Sequence, residues 1–175
     1  MSEKVISTIN ESEITPTGLS KSFIESYAYK VVQALNYKKG GDIVAIAKKL
    51  GGQVENVTLD EMDSKDEIEV LGPNDFIIHV ERISGEVRKR FTIAHEIGHY
   101  LLHSRQGEKK IRVARQGSNR LEWEANWFAA AFLMPEDWVK QEYKLEKDVG
   151  VLSGIFNVSI DAMNIRLKAL GLVSA

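Results

Sequence analysis

Residues 90–103 read Arg90-Phe-Thr-Ile-Ala-His95-Glu96-Ile97-Gly98-His99-Tyr-Leu-Leu-His103, and they hold three of the chain's four histidines. Within them lies His95-Glu96-Ile97-Gly98-His99, an HExxH pattern. On a helix, residues four apart share a face, so the two imidazoles can converge on one metal ion. Glu96 projects beside them, placed to reach a water at the ion rather than the ion itself. Phe91, Ala94, Gly98 and Leu101 form an apolar stripe that would seat this helix on a core. Gly98 costs roughly 1 kcal/mol of helix propensity relative to alanine, and a close approach by another element would account for it. His103 falls two turns beyond His95. One straight helix cannot wrap three ligands around an ion, so His103 is read as a residue behind the ligands or on the surface.

A catalytic zinc site has three protein ligands and an open position. With no cysteine in the chain, the third donor has to be another histidine or a carboxylate. The next helix, Arg120-Leu-Glu-Trp-Glu-Ala-Asn-Trp-Phe-Ala-Ala-Ala-Phe-Leu-Met-Pro135, is apolar yet carries Glu122 and Glu124. At about 100° per residue these point to nearly opposite sides, so at most one is a ligand. Glu124 lines up with Phe128 and Ala131 on a face suited to burial, and a buried carboxylate needs a partner such as a metal. Glu122 lies in a more polar neighbourhood with Asn119 and Asn126. Glu124 is therefore the expected third ligand, with Glu122 the other candidate.

These two stretches, residues 90–103 and Glu124-Ala-Asn-Trp-Phe-Ala-Ala-Ala-Phe-Leu-Met-Pro135, closely resemble the ImmA/IrrE family of metallopeptidases, and the similarity runs from Asp42 to Gly171. The resemblance implies a zincin-like, gluzincin-type α+β fold with the metal between the HExxH helix and the glutamate-bearing helix. His95 and His99 match the family's metal-binding histidines, Glu96 its catalytic glutamate and Glu124 its glutamate ligand. Members are associated with site-specific cleavage of transcriptional repressors or antitoxins in mobile elements and stress responses. The implied activity is metal-dependent peptide hydrolysis, with zinc the first choice of ion and another divalent ion such as Mn2+ the alternative.

The rest of the chain frames that site. Its 175 residues are 43% hydrophobic and 27% charged, a globular composition with a net charge of −2. The absence of cysteine excludes disulfides, cysteine-based zinc ribbons, iron–sulfur clusters and cysteine nucleophiles. The polar start is no signal peptide, and the longest apolar run, Trp127 to Met134, is far short of the roughly 20 residues that span a bilayer. A cytoplasmic protein with no membrane association is expected. Charge is uneven: from Ser84 to Arg120 nine basic residues stand against three acidic ones. Such a stretch is ordinarily a solvated face, but here it flanks the metal helix and could attract an acidic segment of a protein substrate. Lys109, Lys110 and Arg112 are the candidates.

Expected helices cover Lys21 to Tyr37 behind a Ser20 cap, Asp42 to Leu50, Val87 to His103, a segment from Ser118 or Asn119 to Pro135, Glu136 to Lys147, Val151 to Phe156 and Ile160 to Leu170. Expected strands cover Gln53 to Leu59, Ile68 to Leu71 and Phe76 to Glu81. A polar acidic loop spans Asp60 to Asp66, and a basic loop spans Ser104 to Arg120. The fold expected is thus mostly helical with a small three-stranded β-sheet. Its organisation is a flexible tail over 1–17, a peptidase core over 18–135 and a C-terminal helical subdomain over 136–175. The strand holding Phe76, Ile78 and His79 is the candidate for aligning an extended substrate, with His79 a candidate oxyanion donor. The final helical pair resembles a helix-turn-helix with Ser159 as cap, but Arg166 and Lys168 against Asp161 offer little for phosphate contacts, so direct nucleic-acid binding is not expected. The competing reading is a non-enzymatic zinc-containing regulatory or DNA-binding protein. Glu96 speaks against it, because a structural site needs no such carboxylate.

Overall fold

A fourth strand enlarges the sheet beyond what the sequence suggests. The computed structural model describes residues 14–58, 67–114 and 118–174. In chain order these form α1 (Lys21–Ala34), α2 (Ile43–Lys49), β1 (Gly52–Val57), β2 (Glu67–Gly72), β3 (Asp75–Glu81), α3 (Glu86–Gly98) with a π-helical turn (His99–His103), β4 (Ile111–Ala114), α4 (Arg120–Leu133), α5 (Glu136–Leu145), α6 (Val149–Phe156) and α7 (Ile160–Ala169). The expected loop over Asp60 to Asp66, the end of the first strand at Leu59 and the basic residue Arg115 lie outside the described residues.

The strands are ordered β1-β3-β2-β4, with β1 parallel to β3 and the other pairings antiparallel. β4 lies inside the expected basic loop. Only two of its four residues, Ile111 and Val113, are apolar and buried, and Arg112 between them faces out. So short an alternation, surrounded by lysine and arginine, is hidden by its own flanks. Its place is fixed by pairing, with Val113 opposite Ile68 and Ile111 opposite Val70. β4 thereby covers the outer side of β2, while β3 is internal between β1 and β2, so β1 and β4 are the edges.

One face of the sheet carries Ile68, Val70, Phe76, Ile78 and Val80, all buried. Phe76 stacks on Tyr100 of the π-helical turn, with ring centroids 4.2 Å apart. The Tyr100 hydroxyl accepts the Asn74 N–H at 3.0 Å and donates to the Gln106 carbonyl at 3.2 Å. This side chain therefore ties the metal helix to the β2–β3 hairpin.

On the other side α4 packs against α1 and α3, burying Phe128 and Phe132. Gly98 explains itself here: a Cβ at this position would lie 3.3 Å from the Ala125 Cα and 3.2 Å from the Phe128 ring, so α3 and α4 meet almost backbone to backbone. Asn119 caps α4 by accepting the Glu122 N–H at 3.1 Å. The C-terminal helices share the same core through Leu152, Phe156, Met163 and Leu167. Arg90 of α3 fastens them, donating to the carbonyls of Asn157 and Gly41 and to the Tyr37 hydroxyl.

Candidate metal centre

The last turn of α3 presents His95 and Glu96, and the π-helical turn that follows begins with His99 and ends with His103. All four are at most 4% exposed. The Nε2 atoms of His95 and His99 are 3.1 Å apart. The carboxylate that meets them belongs to Glu122: its Oε2 is 3.2 Å from His95 Nε2 and its Oε1 is 3.1 Å from His99 Nε2. Ligands held about 2.0–2.2 Å from a tetrahedral zinc lie roughly 3.3 Å from one another. The three donors therefore have the mutual spacing that one such ion demands, and among the described residues they form the His/Glu group able to hold a metal.

Their protonation suits the same purpose. Burial pushes the His99 pKa down to about 3, with the neighbouring histidines His95 and His103 acting in the same direction, so the ring is neutral at pH 7. Burial alone would raise the Glu122 pKa, but hydrogen bonds and charge from His95 and His99 outweigh it and hold the carboxyl well below its ordinary range. A neutral imidazole and an ionised carboxylate are the ligand forms a divalent cation requires. Behind the cluster, Asn126 Oδ1 lies 2.8 Å from His95 Nδ1 and orients that ring.

Glu124, the expected third ligand, stands elsewhere. It is wholly buried and surrounded by donors: the Thr17 N–H and hydroxyl at 2.8 Å each, the Gly18 N–H at 3.0 Å, Arg120 Nε at 3.0 Å and His103 Nε2 at 3.0 Å. Burial opposes ionisation, yet the bonds from Thr17, His103 and Arg120 bring its pKa down to about 2. The correction has a plain cause. A buried carboxylate does need partners, but here they are protein donors, three of them on Thr17 and Gly18, more than a hundred residues away in sequence. The neighbourhood shared by Glu122 and Asn126, one helical turn apart, was the usable signal; both side chains face the histidines.

The substrate assignments on β3 also change. Phe76 and Ile78 are fully buried in the core, and the backbone of β3 is paired on both sides. No extended peptide can add to it. His79 lies between Glu67 and Glu55, at 3.3 and 3.4 Å, and is occupied there rather than aimed at a carbonyl. Lys109 and Lys110 are exposed. Arg112 pairs with Glu67 at 2.9 Å and lines a cavity of about 490 Å3. Edge strand β4, the start of α4 with Glu122, and Ile14 with Pro16 form its walls. Of the tail expected over residues 1–17, residues 1–13 lie outside the described residues, whereas Thr17 is bound to Glu124.

A peptidase family model described as the IrrE N-terminal-like domain matches residues 49–168. No curated protein matches in sequence. Among solved structures, a Mycobacterium tuberculosis transcriptional regulator is similar in fold at 16% identity and a TM-score of 0.57, covering 83% of this chain and 46% of that one. The chain thus spans about half the length of that neighbour. No helix among the described residues is long and apolar enough to cross a membrane.

Proposed function

Since the chain belongs to the ImmA/IrrE family of metallopeptidases, we propose that it is a metal-dependent endopeptidase that cuts a specific regulatory protein, such as a helix-turn-helix repressor or an antitoxin, in the cytoplasm. The observation that carries the reading is the convergence of His95 Nε2, His99 Nε2 and the Glu122 carboxylate within 3.1–3.2 Å of one another, next to the buried Glu96. A divalent ion held there, zinc by its donor set, would polarise the scissile carbonyl and acidify the attacking water. The residues supply the rest. Glu96 accepts the proton of the water and passes it to the leaving amine. Glu122 opens the cluster onto the cavity beside β4, where an extended peptide can pair with the strand's outer edge. Burial of both histidines keeps bulk water from competing for the same donors.

A DNA-binding alternative is weakened by the contacts of one residue. Arg166, the principal cation of the would-be recognition helix α7, is 3% exposed and engaged with the Met134 carbonyl and Glu25. It is not available to phosphate.

The test uses the zinc-loaded full chain against a panel of helix-turn-helix repressors and antitoxins, with N-terminal sequencing of the products. The expected result is a single cut in one or a few regulators and negligible attack on casein. Glu96→Gln keeps size, fold and metal but cannot act as a base, and should lose about 10²–10⁴-fold in rate. Wild-type rates in that variant, or broad cutting of casein, would sink the reading.

A further inference from the structure

Glu124 grips a stretch of chain that belongs to no helix or strand. Its carboxylate accepts the Thr17 N–H, the Thr17 hydroxyl and the Gly18 N–H. Arg120, bonded to the same carboxylate, donates to the Leu19 carbonyl at 2.5 Å. Just before this clasp, Ile14 and Pro16 line the cavity of about 490 Å3 that Glu122 also lines. We propose that residues 14–18 are a fixed wall of the substrate cleft, that Glu124 is the positioning residue that holds it, and that Ile14 and Pro16 select an aliphatic side chain of the substrate beside the metal position.

An irregular segment at a surface is ordinarily loose, because its backbone groups bond to water instead of to protein. This one is tied down at successive residues. The Thr17 hydroxyl that donates to Glu124 also accepts the Leu19 N–H at 3.2 Å. Gly18 has a φ of 73°, the left-handed conformation that glycine tolerates, and it turns the chain toward the Ser20 cap of α1. Pro16 holds its own φ at about −65° and biases Thr15 toward extended backbone. The clasp is anchored in turn, since the Arg120 guanidinium lies 4.8 Å from the centroid of the Trp127 ring. Glu122 and Glu124 leave the same turn of α4, so the wall stands at a set place relative to the histidine cluster. A wall ordered before the substrate arrives spares the complex the cost of ordering it.

The wall has a substrate only on the peptidase reading above, on which the proposal rests. What it selects follows from the lining. Ile14 and Pro16 share the cavity with Val113 and Ala114 of β4 and Leu121 of α4. The two guanidiniums there are already paired, Arg112 with Glu67 at 2.9 Å and Arg120 with Glu124 at 3.0 Å. An acidic side chain seated among them would meet matched arginines and the Glu122 carboxylate. An aliphatic one buries apolar surface and strands no polar group. The volume falls in the range of about 300–1,000 Å3 that encloses a small ligand, so the cavity takes a short stretch of chain rather than a folded surface. Attraction of an acidic segment thus acts on approach, and seating of an aliphatic side chain acts at the cut.

The experiment reads binding before cutting. The zinc-loaded full chain carrying Glu96→Gln is used to select from random dodecapeptides displayed on phage, and synthetic copies of the selected peptides are titrated by fluorescence anisotropy. Expected is one aliphatic residue enriched at a fixed place, whose replacement by alanine weakens binding about 10-fold, the lower end of what an apolar pocket discriminates. Ile14→Trp, which fills the cavity from the wall, should weaken the same peptides by at least about 10-fold. Thr17→Val withdraws one donor from Glu124 and should weaken them about threefold or more, and Thr17→Ser should restore them. Zinc content stays at wild-type level throughout. In the chain with Glu96 intact, the wall variants should raise KM for a cut peptide and leave kcat unchanged. If Ile14→Trp does not fold, Ile14→Ala replaces it and should erase the preference for the aliphatic residue. No enriched aliphatic residue, or binding within about twofold of the parent in both the Ile14 and Thr17→Val variants, overturns the proposal. Peptides that bind with the stated dependence on the wall and are never cut would refute the peptidase and leave the subsite; peptides cut without that dependence would refute the subsite and leave the peptidase.

Discussion

Glu122 and Glu124 sit two residues apart in the first turns of one helix, and both are buried. Their surroundings differ in kind. Glu122 meets two imidazole nitrogens, whereas Glu124 meets three N–H or O–H donors of the segment before α1 together with Arg120 and His103. The first arrangement brings two ring nitrogens and a carboxylate close enough to share one cation. The second is already complete. Burial therefore does not distinguish a metal ligand from a structural carboxylate; the supply of protons around it does.

The largest effect should come from breaking the incomplete side. Glu122→Ala removes one of three donors, and elemental analysis should show stoichiometric metal lost and hydrolysis at background. The same loss appears in thermal unfolding. A ligand bound only to the folded state adds about 2.7 kcal/mol at a hundredfold excess over Kd, so zinc should raise the Tm of the wild type and leave the variant unmoved. Metal retained in Glu122→Ala but lost in Glu124→Asp would exchange the two roles.

Breaking the complete side should act on the fold first. Glu124→Ala deprives five donors of their acceptor, Arg120 Nε among them. Leaving a buried donor unsatisfied costs about 1–3 kcal/mol. For a chain of this length each kcal/mol lowers Tm by roughly 2–4 °C. Calorimetry of the metal-free proteins isolates the term: Glu124→Ala should unfold well below wild type, and Glu122→Ala close to it. Equal Tm values would remove the distinction drawn between the two carboxylates.

The part of this comparison legible in the sequence was the part with local causes. The HExxH spacing and the Asp42, Ser159 and Asn119 caps each depend on neighbours within one or two turns. The choice between Glu122 and Glu124 depended on Thr17 and Gly18, which reach α4 from the far end of the chain. Periodicity reports which face of a helix is buried, not what covers it, and α4 is covered on both sides. β4 escaped for a related reason: a four-residue strand owes its existence to β2, not to its own alternation. The substrate was misplaced for a separate reason: β3 lies between β1 and β2, an order that the strands' own sequences do not state, while the missed β4 supplies an outer edge beside β2.

The smallest effect separates two parts of the basic segment. Arg112 lies on the cavity wall near Glu122, anchored by Glu67, while Lys109 and Lys110 are exposed just before β4. If the excess positive charge draws an acidic substrate toward the cleft, the effect belongs to capture and should fade with salt, since exposed charges are screened beyond about 8 Å at physiological ionic strength. Lone exposed charges are worth about 0.2–1 kcal/mol, so replacing both lysines with serine should slow capture of the cognate regulator less than about fivefold at low salt and not at all at high salt. Arg112→Ser also loses a contact fixed in the cavity. It should raise KM at every ionic strength while zinc content stays at wild-type level. Should both variants show the same salt-dependent loss, Arg112 is one more member of a diffuse field. Should neither change KM, the segment is a solvated face and selectivity resides in the edge of β4.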